Sequence, residues 1–433
     1  MARIPFCGSG EHVVSRRGFL GTLAAGGIAA CADMTAMQAL ALPDVADELR
    51  RNQKRCILLW LAGGASQLET WDPKPGAITG GPFESIQTSI PGARISELMP
   101  KMARRLKDTA IIRSLNTRNA DHGSAAKMMM RGRPAESGVN YPDLGAVLAR
   151  ELGPESSQVP DYVSFYFATE GRNMAPGQPG FLGARYGSME LYTSMIPENI
   201  RRGTISEQDH LERSDLRAYL SGGFERGRTS LAVDSHNQAY QRMRGIMASE
   251  SLFDINREPQ RVRDQYGSTL FGQQALAARR LVEAGVPFVR VGRAWWDSHG
   301  QNFETHQEMV PELDHVMSTL LDDLEQRGLL QNTLVVTLAE FGRTPAINAQ
   351  LGRDHFASAW SCTLSGCGVK GGSVYGRTDA TGNRVADGEI NAARLFATIY
   401  RALGINPRKN YYVGARPVPL TEPGTEPVRE VLA

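Results

Sequence analysis

The chain has few cysteines, little net charge and no long apolar run. Five cysteines occur in 433 residues and none forms a C-x-x-C pair, so a thiolate zinc site is not expected. Cys362 and Cys367 could pair as a disulfide in an oxidising compartment. The formal net charge of +2 gives no electrostatic reason to expect nucleic acid as a partner. Because no apolar run reaches the roughly 18 residues that a membrane-spanning helix needs, we expect no transmembrane span.

Several catalytic signatures are also missing. The chain has no Gly-x-Ser-x-Gly elbow, which disfavours an α/β-hydrolase triad. It has neither a P-loop nor a Gly-x-Gly-x-x-Gly pattern, so nucleotide cradling is unsupported. Gly63 and Gly64 do follow a predicted strand, where glycine allows an unusual turn or a close backbone approach to a ligand.

The first 41 residues have the pattern of an export signal. Residues 15–20 read SRRGFL, which is typical of a twin-arginine signal, and the apolar stretch 18–30 has the length of a signal-peptide core. A peptidase site fits residues 39–41, whereas the residues before Cys31 resemble a lipobox that would leave Cys31 lipidated. We therefore expect export by the twin-arginine machinery to the periplasm or beyond, with a lipid anchor at Cys31 as the alternative to cleavage after Ala41.

Apolar runs alternate with helical patterns through the rest of the chain, which predicts βα units and a mostly parallel sheet. We expect residues 42–433 to form one α/β domain, a doubly wound sheet flanked by helices. The predicted strands are 56–61, 109–115, 162–167, 288–291, 333–338 and 361–364, and the predicted helices are 98–106, 124–131, 304–327 and 392–403. Residues 170–233 have weak apolar periodicity and are predicted to be a partly irregular insertion over the sheet.

Acidic and imidazole groups recur just after the ends of predicted strands. Asp297 and His299 follow the fourth strand, Glu340 follows the fifth, and Asp354 and His355 lie in the next loop. Ligand sites in open α/β sheets gather at the carboxyl ends of strands. Mixed Asp, Glu and His clusters suit zinc, or manganese where more ligands are oxygen. The sequence therefore predicts a divalent-metal site for zinc, with manganese or calcium as alternatives.

Each candidate also has a structural interpretation. His306 falls in the first turn of a helix and is an alternative ligand to His299, although a lone histidine is more often structural. Glu340 could form a salt bridge to Arg343. Arg343 and Arg353 could instead clamp an anion, because guanidinium groups match phosphate or sulfate oxygens bidentately.

A further candidate lies at residues 121–124, which read DHGS before a predicted helix. Taken alone, Ser124 is most simply the N-cap of that helix. The functional interpretation is that free N–H groups and the positive dipole end at the helix N-terminus stabilise an anion. A nucleophile placed there, His122 or Ser124, would meet a phosphate or sulfate.

Four segments resemble the bacterial family called domain of unknown function 1501. They read LAGGASQLETWDPKP at 61–75, WDSH at 296–299, EFGRTP at 340–345 and GRDHF at 352–356. The resemblance covers about residues 50–415. The family is similar to a branch of the alkaline phosphatase and sulfatase superfamily, whose doubly wound α/β sheet holds two metal ions.

The superfamily resemblance implies one metal site and raises questions about the second. Asp297 with His299 or His306 matches the Asp/His pair of one site, and His355 resembles its later histidine. At the second site, the resemblance places Glu340 at a metal aspartate.

Other positions depart from the superfamily pattern. Phe341 replaces a metal histidine, and Gly63 or Gly64 stands where the first-strand metal aspartate is expected. His122 occupies the position of the Ser or Thr nucleophile. The resemblance therefore leaves His122 as a ligand, a base or a nucleophile.

Three functions follow as expectations. The first is an exported metal-dependent hydrolase of phosphate or sulfate esters with a reduced metal site, acting on a small anionic ester or a sulfated glycan. The alternative is a non-catalytic binding or assembly protein with the same fold. A glycan-handling role is suggested only by the export signal and by aromatic residues such as Trp295. The first requires Asp297 and His355 to lie within about 8 Å, since ligand bonds to one ion are near 2 Å.

Overall fold

An eight-stranded sheet forms the centre of the protein. This computed structural model describes residues 52–154, 159–165, 177–192, 195, 197, 206–225 and 250–433. The predicted export segment, including Cys31, lies outside the described residues.

The strands are β1 (Arg55–Leu61), β2 (Ser85–Gln87), β3 (Arg94–Ser96), β4 (Thr109–Leu115), β5 (Tyr162–Phe165), β6 (Met189–Leu191), β7 (Phe288–Arg293), β8 (Thr333–Leu338), β9 (Gly342–Arg343), β10 (His355–Phe356), β11 (Trp360–Gly366), β12 (Ser373–Tyr375), β13 (Arg377–Thr378), β14 (Val385–Asp387), β15 (Asn410–Val413) and β16 (Arg416–Pro419). The helices are α1 (Pro100–Arg105), α2 (His122–Arg131), α3 (Leu144–Leu152), α4 (Glu207–Glu225), α5 (Glu250–Phe253), α6 (Gln260–Tyr266), α7 (Leu270–Glu283), α8 (Asn302–Gln326) and α9 (Ala392–Ala402).

The central sheet is mostly parallel. Its strand order is β12-β4-β11-β8-β1-β7-β5-β6. The central strand β1 pairs in parallel with both β7 and β8, whereas β11 is antiparallel to β4 and β8. Every residue of β1 is buried, as expected for an apolar strand covered on both faces. The predicted α/β fold with a mostly parallel sheet flanked by helices is confirmed.

Most predicted strands occur within two residues of their predicted bounds. The strands predicted at 109–115 and 333–338 match β4 and β8. β7 continues two residues beyond its prediction, and β11 extends beyond its prediction at both ends. Residues 166 and 167 of the third prediction lie outside the described residues. Part of the predicted insertion supplies β6, which pairs with β5 at one edge of the sheet.

Helix α8, predicted at 304–327, buries an apolar stripe. Val310, Leu313 and Met317 are all buried on this helix. A buried carboxylate, Asp314, interrupts the stripe and accepts hydrogen bonds from two backbone N–H groups in the first turn of α1, at 2.6 and 3.0 Å. These bonds satisfy amides that have no partner within α1, so α8 and α1 are held together by both apolar packing and a cap.

Helix α2 begins two residues earlier than the sequence suggests. Its N-cap is Asp121, whose carboxylate accepts a 2.9 Å hydrogen bond from the backbone N–H of Ser124. The prediction of Ser124 as the N-cap is therefore wrong, because the aspartate three residues earlier takes that place. Gly132 closes the helix with φ +73°, a left-handed conformation that glycine adopts readily at a helix C-terminus.

The cysteines of the described residues do not form disulfides. Cys56, Cys362 and Cys367 are free and buried, so the predicted pairing of Cys362 with Cys367 is wrong. β11 carries Cys362 and ends at residue 366, and four strand residues span about 13 Å. A disulfide requires Cα atoms within about 7 Å. Among the helices described, none is long and apolar enough to cross a membrane.

Candidate metal centre

The carboxyl ends of adjacent strands bring the predicted site residues together. Since β7, β1 and β8 are neighbours and parallel, the loops that follow them begin at the same edge of the sheet. Asp297 and His299 follow β7, and Glu340 follows β8. His122 is the first residue of α2, and His355 begins the short strand β10.

Asp297 lies at the centre of this cluster. Its Oδ2 atom is 3.0 Å from His122 Nε2. Its Oδ1 atom is 3.1 Å from His299 Nε2 and 3.2 Å from His355 Nε2. The two Nε2 atoms of His299 and His355 are 2.9 Å apart. The convergence required by the sequence prediction therefore occurs at contact distance.

Each of the three histidines is held by an oxygen atom at Nδ1. His122 Nδ1 is 2.8 Å from Glu340 Oε1, His299 Nδ1 is 2.7 Å from Asp354 Oδ1, and His355 Nδ1 is 2.8 Å from the carbonyl oxygen of residue 120. Carbonyl and carboxylate oxygens accept hydrogen bonds, so the proton of each neutral ring belongs on Nδ1. Each Nε2 atom then faces the Asp297 carboxylate, so it donates a hydrogen bond while protonated and offers a lone pair to a cation after losing that proton.

The same contacts shift the pKa values of His122 and Asp297. Partial burial lowers the pKa of His122, but the hydrogen bonds to Asp297 and Glu340 outweigh burial and raise it to about 9. Burial opposes ionisation of Asp297, but hydrogen bonds from His122 and His355 and the charge of Arg343 hold the pKa of this carboxyl well below its usual value. Without a cation, His122 is thus protonated on both nitrogens.

The donor atoms fit a single divalent ion. One ligand atom each from His122, Asp297 and His355 lies within 4.8 Å of the others. Tetrahedral zinc bonds of about 2.0 Å would place neighbouring ligand atoms about 3.3 Å apart. The distance from Asp297 Oδ1 to His355 Nε2 is 3.2 Å, and that from Asp297 Oδ2 to His122 Nε2 is 3.0 Å. Two imidazoles and one carboxylate are also the donor types that zinc accepts. His299 Nε2, close to the same carboxylate oxygen, is a fourth candidate donor.

Outer carboxylates support this arrangement. Glu340 is fully buried, and its Oε1 atom accepts hydrogen bonds from the Gly63 N–H at 2.8 Å and from His122. Asp354 is half exposed and is further held by Asn348. Oriented histidines with an oxygen partner on the second ring nitrogen are typical of metal sites. Glu340 and Asp354 were both predicted as metal ligands. Each instead contacts the Nδ1 atom of a histidine, on the far side of the ring from Asp297, and fixes the orientation of that ring.

Gly63 and Phe341, two positions at which the sequence resemblance would place metal ligands, provide none in this structure. A Cβ atom at Gly63 would lie 2.5 Å from the backbone nitrogen of Asp297, and Gly63 has φ +106°, so no carboxylate side chain fits there. The Phe341 ring packs against His122 and His355, with centroids 4.8 and 4.5 Å apart. Among the described residues the cluster provides donors for one ion, rather than for two.

Two predicted residues face elsewhere. His306 is fully buried, accepts a 3.0 Å hydrogen bond at Nε2 from the Ser66 N–H, and donates from Nδ1 to the Asn302 carbonyl. Burial lowers the pKa of His306 to about 4, so this ring is a neutral structural group. The Ser124 hydroxyl is bonded to Asp121 and to the residue 119 side chain. Neither side chain has a contact with Asp297.

The two arginines predicted as an anion clamp are committed to protein oxygens. Arg343 is fully buried and contacts Asp297 and the carbonyl oxygens of Gly63, Gly64 and Arg353. The buried Arg353 guanidinium binds Glu69 at 2.7 Å and three backbone carbonyl oxygens. Neither group has a free edge for a ligand. Both instead fix the loops that carry the site.

Two features of the site were missed by the sequence reasoning. The carbonyl oxygen of Ala120 orients His355, and the Asn348 side chain donates a 2.8 Å hydrogen bond to the His299 carbonyl. No sequence signal could identify Ala120, because every residue supplies a carbonyl. Asn348 was detectable only as a polar residue in the loop between two motifs.

The fold and the site together define an α/β protein with a candidate one-metal centre at the carboxyl edge of its sheet. The chain belongs to the family described as protein of unknown function (DUF1501), which matches residues 53–432. A comparison with curated proteins finds no match.

Solved structures with a similar fold come from several bacteria. The sulfatase PsFucS1 from Pseudoalteromonas sp. is 12% identical, with 84% of this chain and 70% of that chain covered and a TM-score of 0.37. A protein in the alkaline phosphatase superfamily from Vibrio parahaemolyticus is 11% identical, with coverages of 82% and 67% and a TM-score of 0.39. A phosphonate monoester hydrolase of Agrobacterium radiobacter is 14% identical, with coverages of 87% and 78% and a TM-score of 0.36. Identities this low carry no activity over to this chain.

Proposed function

We propose that this protein is an exported, metal-dependent hydrolase of phosphate or sulfate esters that works with one ion, which we expect to be zinc. The observation that carries the proposal is the shared orientation of three imidazoles. His122, His299 and His355 each have Nδ1 on an oxygen atom and Nε2 within 3.2 Å of the Asp297 carboxylate. With Nδ1 of each ring held by an oxygen atom, all three Nε2 atoms face one carboxylate, an arrangement that suits a shared cation.

In this proposal some residues bind the ion and others orient the residues that bind it. His122, Asp297 and His355 would bind the ion, with His299 as the fourth donor. When bound, the ion supplies Lewis-acid chemistry and neutralises charge on the ester group. Glu340 keeps the Nδ1 proton on His122, so that Nε2 remains free to coordinate.

The proposed reaction uses water rather than a nucleophile of the protein. Both nitrogens of His122 are engaged by carboxylates, and the Ser124 hydroxyl is held by Asp121. We therefore assign His122 to the ion and Ser124 to the first turn of α2, and neither to a covalent intermediate. Water would attack phosphorus or sulfur, the ester oxygen would leave with a proton as the alcohol, and inorganic phosphate or sulfate would be the second product.

The site is open to a substrate on one side. Side-chain exposure rises from 13% for His122 and 15% for Asp297 to 48% for His299 and 56% for Asp354. An ester would therefore approach over His299 and Asp354. The substrate class that we propose is an anionic phosphate or sulfate ester, including sulfated glycans.

We also propose export by the twin-arginine pathway to the periplasm or cell exterior. The support is the pattern SRRGFL at 15–20 with the apolar stretch that follows. Replacement of Arg16 and Arg17 by lysine should leave the precursor in the cytoplasm, whereas unchanged export would contradict this route. Labelling with radioactive palmitate would distinguish lipidation of Cys31 from cleavage after Ala41.

The test of the hydrolase proposal combines metal analysis with activity. Wild-type protein should carry one zinc per chain and hydrolyse aryl phosphates or aryl sulfates. His355→Ala should lose the ion, and activity should fall by more than about a hundredfold, the upper range for loss of an outer partner. His315→Ala is the matched control, because His315 is a partly exposed histidine of α8 that contacts Lys101 instead of the cluster. Wild-type protein that neither binds zinc nor hydrolyses either ester in the presence of zinc would refute the proposal.

A specific observation also favours a second function, a non-catalytic binding or assembly role. Arg343 and Arg353 are saturated by protein acceptors, so neither can clamp a substrate anion. In this case the ion would be structural. Asp297→Ala decides between the two functions: loss of ester turnover with retained folding supports the hydrolase, whereas a wild-type protein that binds zinc without any turnover supports the binding role.

A further inference from the structure

One large aromatic side chain stands beside the candidate metal centre without cover. Trp295 is 55% exposed, whereas the other four tryptophans of the chain are at most 2% exposed. Single exposed apolar residues are common on protein surfaces. Trp295 differs from them in its position, since it lies two residues before Asp297.

The alternation of burial places Trp295 on the solvent side of the site. Trp296 and Ser298 are buried, whereas Trp295, Asp297 and His299 all retain exposed surface. The backbone of Trp296 is held in place, because its backbone N–H donates a 3.1 Å hydrogen bond to the carbonyl oxygen of Ala62, the residue after β1. The indole of Trp295 is therefore exposed to solvent in the same loop as His299, which is also exposed.

The backbone of Trp295 is held in an unfavourable conformation. Its φ is +75°, in the left-handed region that bulky residues rarely adopt. Strained residues of this kind persist where surrounding structure fixes them, and they cluster at ligand-binding sites. Here the hydrogen bond from the backbone N–H of the adjacent Trp296 to the Ala62 carbonyl supplies that restraint.

The opposite loop repeats this combination. Leu351 is 58% exposed and has φ +54°, and it precedes Asp354 by three residues. The two loops are joined by hydrogen bonds from the Asn302 N–H to the Leu351 carbonyl at 3.0 Å and from the Arg353 N–H to the Ser298 carbonyl at 3.0 Å. Exposed apolar side chains thus occur on both of the joined loops that carry site residues.

We propose that Trp295, with Leu351 on the same rim, is a stacking subsite for a ring in the alcohol part of the substrate. The ring would be a sugar or an aryl group, since both present a flat apolar face to an indole. The placement of the ester group at Asp297 rests on the proposed function above, whereas the stacking contact does not require turnover. The preferred substrate is then a ring-bearing ester rather than a small alkyl ester.

The test measures binding rather than activity. Phenyl phosphate, phenyl sulfate, glucosamine 6-sulfate, methyl phosphate and methyl sulfate would be titrated into zinc-loaded protein by calorimetry. Acrylamide quenching of tryptophan fluorescence would be followed in parallel, because Trp295 is the exposed tryptophan. Ring-bearing esters should shield this fluorescence, and the phenyl esters and the amino sugar separate aryl from sugar recognition.

The variants isolate the ring contact. Trp295→Ala should bind ring-bearing esters about tenfold more weakly and methyl esters unchanged, while Trp295→Phe should retain most of the affinity. Tyr412→Ala is the matched control, since Tyr412 is an exposed aromatic residue of the β15–β16 hairpin. Zinc content equal to wild type would show that Trp295→Ala is folded at the site.

The outcomes separate this proposal from the hydrolase proposal. Equal ratios of ring-bearing to methyl ester affinity in wild type and Trp295→Ala would overturn the stacking subsite. If wild-type protein binds none of the esters, the metal-dependent function fails. Uncharged methyl β-glucoside and benzyl alcohol then decide the stacking proposal alone, since shielding of Trp295 by either supports it and the absence of shielding by both refutes it.

Discussion

Glu340 is expected to control how tightly the centre holds its metal ion. The carboxylate is fully buried and accepts hydrogen bonds from His122 Nδ1 and the Gly63 N–H, both at 2.8 Å. Glu340→Gln keeps the shape and one acceptor oxygen but removes the negative charge beside His122. The Gly63 amide can still bond to the remaining carbonyl oxygen, so the local fold should survive.

The magnitude follows from the role of an outer partner. Loss of such a partner typically weakens metal binding 10- to 100-fold, which corresponds to roughly 1.4 to 2.7 kcal/mol. We expect Glu340→Gln to lie near the upper end, because the carboxylate is shielded from solvent. Asp354→Asn changes the equivalent contact at His299, a hydrogen bond of 2.7 Å, but at a carboxylate that is 56% exposed. Solvent screening should make its effect severalfold smaller.

The assay is competition for zinc with a chromophoric chelator at pH 7.5, with urea unfolding of the zinc-free proteins as a check on folding. The reasoning predicts the order wild type, then Asp354→Asn, then Glu340→Gln in decreasing affinity. Equal zinc affinity for wild type and Glu340→Gln would refute it. A reversed order would show that His299, rather than His122, is the ring whose orientation limits binding.

Three further predictions concern stability. Gly63→Ala should lower the free energy of unfolding by about 2 kcal/mol or more, because the added Cβ would lie 2.5 Å from the Asp297 backbone nitrogen; urea unfolding equal to wild type would contradict this. Burial lowers the pKa of His306 from 6.5 to about 4 in the folded protein, so between these values the unfolded chain binds a proton that the folded protein does not. The contribution of neutral His306 to the free energy of unfolding is therefore complete above pH 6.5, and roughly 3 kcal/mol of it is lost as the pH falls to 4. The pH dependence of unfolding in His306→Gln should be correspondingly shallower across that window. Chelation of the ion should lower stability by about 2.7 kcal/mol if free zinc had been 100 times its dissociation constant, and an unchanged melting temperature with EDTA would argue against a bound ion.

The strands of the core could be predicted because strands that are buried on both faces are made almost entirely of apolar residues. β1 and β8 are continuous apolar segments, which few other structures accommodate. The direction of β11 could not be read in the same way. An apolar strand looks alike in either direction, and pairing with β4 and β8 decides whether it runs antiparallel.

The site was predicted in outline for a related reason. Strand ends in a parallel sheet lie at one edge, so Asp297 and His355 could be expected to meet. The role of each residue within the cluster was harder to predict, since the carboxylates of Glu340 and Asp354 could equally well bind a metal ion. Only the distances show that each carboxylate contacts an Nδ1 atom and stands outside the ligand group.

The amino-acid sequence by itself determined the type of fold, the edge at which polar groups collect and the inventory of donors, because residue order fixes hydrophobic pattern and loop content. Three-dimensional packing decided which nitrogen of each ring faces Asp297, why glycine must occupy position 63, and that the guanidinium groups of Arg343 and Arg353 hold loops in place. Those outcomes depend on contacts between residues up to 284 positions apart, and no local pattern encodes them.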